Sequence, residues 1–206
     1  ISMATVFANV IIVQPDSPAR TLKEFVEQAR KQPGRITYGT SGVGGAAHLA
    51  GELLESVAKI FLVHVPYRGG GPALQGFLGR QTDVFIATPV TSLGQIKAGK
   101  ARALATTGPQ RAKLMPDVPT VAETGYPGFE AVNWYAYYGP KGLPREIVAK
   151  LNDAIVAVLK QPETIALLEK QGVEPQSSTP EELARYTERE LQTWGRAVKE
   201  AGIKAQ

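Results

Sequence analysis

Three features of the 206-residue chain predict an α/β fold. Short β-branched runs alternate with amphipathic helical patterns from about residue 15 to residue 128. Glycine-rich turns carry strand-like segments directly into helix-like ones. After residue 128 the pattern changes to one aromatic strand followed by helices alone. Alternation at short spacing predicts a parallel, doubly wound lobe, and the later helices predict cover for a second sheet.

Residues 9–13, Asn-Val-Ile-Ile-Val, read as a buried strand ended by Pro15 and Pro18. Thr21 and Glu24 form a capping-box pair. The helix they open places Leu22, Phe25, Val26 and Ala29 on one face and stops at Pro33-Gly34. The run Ile36-Thr37-Tyr38 is β-type, and the helix after the glycine turn sets Leu49, Leu53, Leu54 and Val57 inward. A strand over 60–65, a short helix up to Gly79, a strand over 83–87, a helix over 90–98 and a strand over 101–106 complete the lobe. Proline and glycine then break the chain up to an aromatic strand over 132–138. Three helices and no further strand follow. The first, 144–160, aligns Ile147, Leu151, Ile155 and Leu159; the second covers 163–171. The third begins at Thr179-Pro180 and faces Leu183, Leu191, Trp194 and Val198 inward. The strands at 9–13 and 132–138 are expected outside the lobe, in a second one. The division expected is therefore 1–14, a crossing strand and remnant of a first lobe; 15–128, a complete second lobe; and 129–206, the returning strand and C-terminal helices of the first.

Composition narrows the function. Hydrophobic residues make up 43% and charged residues 20%, as in ordinary globular proteins. No apolar run approaches the roughly 18 residues of a membrane span. The net charge of +4 is spread in short clusters such as Arg30-Lys31, which argues against nucleic acid as a partner. With no cysteine and two histidines, neither a thiolate nor a His-rich metal site is expected. The chain opens at Ile1, and its first residues carry neither a basic leader region nor a cleavage motif, so an export signal is not expected within it.

The turn over residues 39–48 is the candidate site. Backbone N–H groups at a helix start have no helical partner, glycine lets a ligand approach them, and the helix end adds about half a positive charge. An anion is therefore favoured over glycines that serve packing alone. Residues 42–47 fit a dinucleotide fingerprint, but the next strand closes on Val65-Pro66-Tyr67-Arg68 and not on an acid. A nicotinamide nucleotide remains one alternative. A phosphate-hydrolysing loop is excluded, because no Gly-Lys-Ser/Thr follows. A serine nucleophile at Ser41 lacks the second glycine of G-x-S-x-G, where Val43 stands, and has no acid to orient His48 or His64. The third reading is reversible capture of a carboxylate by Thr40, Ser41 and the turn amides. Two further strand-to-helix turns, 66–72 and 87–92, are placed to converge with it. His48 is expected as a hydrogen-bonded packing residue or minor contact. No catalytic residue and no cofactor is expected.

The segments "ITYGTSGVGGAAHLAGELL", "VHVPYRGGGPAL", "IKAGKARALATTGPQR", "MPDVPTVAETGYPGFEAVNWYAYYGPKGLP", "LEKQGVEPQSSTPEEL" and "AGIKAQ" occur in the order of a known family. Together they resemble the tripartite tricarboxylate receptors, the Bug-type periplasmic solute-binding proteins. The resemblance implies a type II periplasmic-binding-protein-like fold, a periplasmic location, and a small organic acid closed between two lobes for delivery to membrane transporter subunits or a sensor. Carried over by position, the family's ligand loop falls on Ser41, Gly42, Val43, Gly44 and Gly45, with Ala46, Ala47 and His48 opening the helix. A second loop falls on Pro66, Tyr67, Arg68 and Gly69. Val43 and Gly45 stand where Asn and Thr are common, and Ala87 and Thr88 replace an acidic pattern, so a less polar monocarboxylate or aromatic acid is favoured. One carboxylate is expected at residues 41–47, with the remainder of the solute toward Tyr67 and Thr88 and with Arg68 in a minor role. The resemblance also implies that this chain is a C-terminal two-thirds. Helix faces left uncovered would then pack on a second copy, as a homodimer, or on the missing segment of a longer protein; a dimerising fragment with no ligand is a further alternative.

Overall fold

The computed structural model describes residues 1–200; the closing "AGIKAQ" segment lies outside the described residues. Among the described residues, eight strands form two sheets. The larger contains β2 (Val10–Val13), β3 (Thr37–Thr40), β4 (Val63–Pro66), β5 (Val84–Ala87) and β6 (Arg102–Thr106), in the order β4-β3-β5-β2-β6. The smaller contains β1 (Ser2–Ala8), β7 (Val132–Tyr137) and β8 (Glu174–Pro175), in the order β7-β1-β8.

Two expectations are corrected here. The strand at residues 9–13 does not lie outside the larger sheet: β2 sits between β5 and β6. It is antiparallel to both, so the sheet is mixed and not wholly parallel. The cause is its direction of approach. The chain leaves β1 in the smaller sheet, crosses at Asn9 and enters from the edge where β3, β4 and β5 finish. Strand β3 pairs in parallel with β4 and β5, as expected.

The sheet is wound on both faces. Alternate side chains of a strand point to opposite sides. Ile11, Val13, Val84, Ile86 and Leu104 face α1 (Leu22–Lys31) and α2 (Ala46–Ala58), meeting Leu22, Phe25, Val26, Ala50 and Leu54. Val10, Ile12, Phe85 and Ala87 face α3 (Gly70–Leu78) and α4 (Pro89–Lys97), meeting Ala73, Phe77 and Leu93. Helix α1 begins as predicted: Thr21 Oγ1 accepts the Glu24 amide at 3.2 Å. Glu24 reaches back one residue further than a capping box, accepting the Arg20 amide at 2.6 Å. The strand expected over 60–65 starts only at Val63. Phe61 O is turned to the Gly34 amide, and the Leu62 amide is held by the Glu55 carboxyl, so neither residue joins the ladder. Val57, expected inward, is 39% exposed.

The remaining helices are α5 (Arg145–Leu159), α6 (Pro162–Lys170) and α7 (Pro180–Glu200). The sequence predicts no strand among these helices, yet Glu174-Pro175, between α6 and α7, pairs with Thr5 and Val6 of β1. Leu183 is buried and Trp194 packs on the core under α2, but Leu191 is 69% exposed and does not face inward. Neither α5 nor α6 buries any residue. Ile147, Leu151, Val158 and Leu167 stand exposed there, as do Tyr135 and Tyr137 on β7, whose outer edge is unpaired among the described residues.

The crossing is held by one residue. Thr107 Oγ1 accepts the Asn9 amide at 2.9 Å and donates to Ala131 O at 2.6 Å. The Thr107 amide donates to Asn9 O, and the Ala131 amide to Thr107 O. Three segments that pass between the sheets thus meet at a fully buried hydroxyl.

Candidate functional site

Because β3, β4 and β5 run in parallel, Thr40, Pro66 and Ala87 end at one edge of the larger sheet. Helices α2, α3 and α4 begin there. Their caps are Gly45, Gly69 and Thr88, none of which makes a side-chain capping bond. The amides of Ala46, Ala47 and His48 have no partner among the described residues. Three helix N-termini thus present partial positive charge to one place. No Asp or Glu occurs in residues 39–48, 66–72 or 87–92, and Arg68 stands exposed beside them without an ion-pair partner among the described residues. The edge is suited to a small anion.

The first turn is braced from beneath. Thr40 is buried; its hydroxyl lies 2.7 Å from His64 Nε2, donates to Gly42 O at 3.1 Å and receives the Gly42 amide at 3.3 Å. Gly44 has φ +74°, a left-handed conformation that glycine adopts without strain. Its amide turns inward and donates to His48 Nδ1 at 3.0 Å. A Cβ on Gly44 would meet nothing within 4 Å, so conformation and not space requires glycine. Ser41, Gly42, Val43 and Gly45 complete the outer rim, where Ser41 is exposed. Backbone bonds from the Tyr67 amide to Thr40 O (3.0 Å) and from the Gly69 amide to Ser41 O (3.1 Å) tie the second turn to the first.

Tyr67 lies with its ring against α3, over Gly76; a Cβ on that glycine would fall 2.3 Å from Tyr67 Oη and 2.5 Å from its Cζ. The hydroxyl donates to Gln81 Oε1 at 3.2 Å. At the third turn, Thr88 O accepts both amides and both hydroxyls of Thr91 and Ser92, which fixes the start of α4. Thr91 Cγ2 would lie 3.0 Å from a Cβ on Gly70, so α3 and α4 abut. The structure therefore brings Thr40 to His48, Tyr67, Arg68, Gly69 and Thr88 to one edge.

One cluster has no sequence signal. The His48 and His64 rings stack with centroids 3.9 Å apart at 12°, and Tyr38 lies 4.9 Å from His64. His48 Nε2 donates to Glu52 Oε1 at 3.3 Å, and the same oxygen accepts the Tyr38 hydroxyl at 3.0 Å. Burial, with His48 beside it, lowers His64 to a pKa of about 4. Burial also lowers His48, against the pull of Glu52. Burial raises Glu55 to about 7. The residues are remote in sequence and meet only because β3 and β4 are in parallel register, Tyr38 opposite His64.

A cavity of about 470 Å³ lies elsewhere, between Phe7, Leu114, Met115, Val173 and Tyr186, and contains none of the predicted residues. Its wall is mainly apolar, and its cations Lys113 and Arg111 are engaged by Glu169 and Glu123. Both cations of that cavity are thus engaged, whereas Arg68 at the sheet edge has no ion-pair partner among the described residues. Among the described residues no group of three or more His, Cys, Asp or Glu could hold a metal ion, and no helix is long and apolar enough to cross a membrane.

A family model described as "Tripartite tricarboxylate transporter family receptor" matches residues 1–203. Among solved structures, the chain is similar to R. palustris Rpa4515 with adipate (TM-score 0.92, 30% identity, covering 98% of this chain and 67% of that one). It is also similar to the periplasmic binding protein BugD (TM-score 0.91, 32% identity, 100% and 70%). A third is MatC from Rhodopseudomonas palustris with bound malate (TM-score 0.86, 28% identity, 96% and 68%). The chain spans 61–63% of the length of curated relatives to which it is 29–33% identical.

Proposed function

The chain belongs to the tripartite tricarboxylate transporter receptor family, and from that premise we propose that it is the carboxylate-capturing part of a periplasmic solute receptor. The observation that carries this reading is the convergence of three uncapped helix N-termini, free of acidic side chains, on the edge formed by Thr40, Pro66 and Ala87. In this reading a carboxylate sits on the amides of Ala46, Ala47 and His48 and the Ser41 hydroxyl. Gly42, Val43, Gly44 and Gly45 shape the cradle, and Gly69, Thr88 and the exposed Arg68 border it. Thr40 and Tyr67 hold the turns in place. Charge-assisted bonds of this kind contribute about 1.5–3 kcal/mol each, so three or four give micromolar capture after association losses.

Adipate and malate, held by two relatives, are both dicarboxylates. We therefore place small dicarboxylates ahead of the monocarboxylates and aromatic acids that Val43 and Ala87 favour from sequence. The solute would close between the two lobes of the whole receptor, and transporter subunits would receive it. The uncovered faces of α5 and α6 would associate with a second copy of this chain.

Calorimetry against adipate, malate, benzoate and NADP tests the reading. Micromolar binding of a dicarboxylate, lost in Ala46→Pro and weakened in Ser41→Ala, is expected. Binding of NADP alone would transfer the glycine turn to the nucleotide alternative.

A further inference from the structure

His48 does more than pack. Its Nδ1 accepts the Gly44 amide, so its proton is on Nε2, where Glu52 takes it. The side chain is 7% exposed. From β3 it faces Tyr38, from β4 His64, and from its own helix Glu52, with Glu55 one turn on. The Gly44 peptide is therefore held inward by a titratable acceptor, one residue before the Gly45 cap and next to the amides of Ala46 and Ala47, which have no partner among the described residues. A proton added at Nδ1 would set two donors against each other at 3.0 Å, and the turn could not keep its shape. Stacked at 3.9 Å, the two imidazoles can hold at most one charge between them.

We propose that the His48–His64 stack is an acid-sensitive latch on the glycine turn: neutral His48 holds the Gly44 amide inward and aligns the anion cradle, and uptake of one proton by the stack frees the turn and releases the solute. This rests on the reading of that turn as the carboxylate site. It makes His48 a positioning residue, whose imidazole need not touch the solute.

The sign follows from linkage. Burial holds both histidines below their ordinary pKa near 6.5 while the turn is closed. The closed form thus excludes a proton that the open form binds. Affinity is full above about pH 6.5 and falls as the pH drops toward about 4, by up to tenfold per unit.

The test compares the unaltered protein with His48→Asn, whose Oδ1 can replace Nδ1 as acceptor but does not titrate. The unaltered protein should bind adipate at pH 7.5, and each protein's affinity is referred to its own value at that pH. Between pH 7.5 and 5 the affinity of the unaltered protein should fall at least tenfold more than that of His48→Asn, a comparison that cancels the titration of adipate itself. Equal slopes overturn the latch. Amide exchange at Gly44 without ligand supplies a readout independent of binding. Its protection factor should drop at least tenfold over the same range in the unaltered protein and stay constant in His48→Asn. Unchanged protection in both overturns the latch, even if adipate binds. Failure of the unaltered protein to bind any dicarboxylate at pH 7.5 sinks the carboxylate reading and, with it, solute release; exchange at Gly44, which needs no ligand, then decides whether His48 still controls the turn.

Discussion

Gly76→Ala measures how the second turn is built. The added Cβ would sit 2.3, 2.5 and 2.7 Å from Oη, Cζ and Cε1 of Tyr67, well inside ordinary contact distance. The ring must leave its bed on α3 and give up the Gln81 bond. Overpacking of this kind costs about 1–3 kcal/mol. Replacing glycine inside a helix returns about 1 kcal/mol of conformational entropy and propensity. The net loss expected is about 0–2 kcal/mol, or a fall in melting temperature of up to about 8 °C for a chain of this size. Gly94→Ala in α4 is the control, because its Cβ meets nothing within 4 Å; it should raise stability by up to about 1 kcal/mol. Urea unfolding of Gly76→Ala, Tyr67→Ala and the double variant forms a cycle. The coupling should exceed about 1 kcal/mol and favour the double variant, since removing the ring removes the clash. If Gly76→Ala is as stabilising as Gly94→Ala, Tyr67 does not lie on α3 and the packing role assigned to it is wrong.

Glu55→Gln should remove a pH-dependent penalty. Burial raises Glu55 to about 7, so its protonated form is favoured in the fold; the stability this contributes is present below about pH 4.5 and is lost as the pH rises through about 7. The group is only half-buried, so the gain for Glu55→Gln at pH 8 is set at about 1–2 kcal/mol, vanishing by pH 4.5, as read from urea midpoints. Thr107→Val strips partners from the buried Asn9 amide and Ala131 carbonyl and should cost about 2–4 kcal/mol, whereas Thr107→Ser should cost under about 1 kcal/mol. Equal losses in calorimetric melting would show that the methyl group, not the hydroxyl, holds the crossing. Light scattering should give a mass above 22.1 kDa that Leu151→Lys with Leu167→Lys returns to the monomer. A monomer at the outset refutes the helix-face contact.

Sequence patterning made the larger lobe legible wherever one periodicity dominated. The face of α1 is legible residue by residue: Leu22, Phe25, Val26 and Ala29, which its periodicity marks, are its buried residues and no others are. The glycine turns stood out because strand, turn and helix follow one another without a linker. Position within the sheet was not legible in the same way. An all-apolar run such as residues 10–13 is what either a parallel or an antiparallel central strand looks like, since both its faces are buried. Strand β8 is two residues long and pairs only because α6 delivers it to β1, which no local pattern announces. Leu191 and Val57 lie at helical spacing for burial, yet each is exposed, because periodicity marks an apolar face and not what covers it. The braces beneath the candidate site were hidden for a related reason: His48 and His64 are joined by strand register, and register is tertiary information.

The antiparallel placement of β2 also bears on how the chain assembles. Its partners, Val84–Ala87 and Arg102–Thr106, lie far downstream, and Val10 must find both Ala87 and Thr106. On a ribosome this strand is made well before either neighbour. During that interval it is a four-residue β-forming segment with no polar side chain, the kind of stretch that pairs with whatever edge it meets first. The helices and parallel strands between can form from local contacts and wait with a gap in their sheet. Closing the gap then requires a long loop to shut before any contact rewards it, which makes the insertion slow. The order of synthesis and the order of assembly are thus opposed in this lobe, and Val10–Val13 is the segment that a holding chaperone would have most reason to cover.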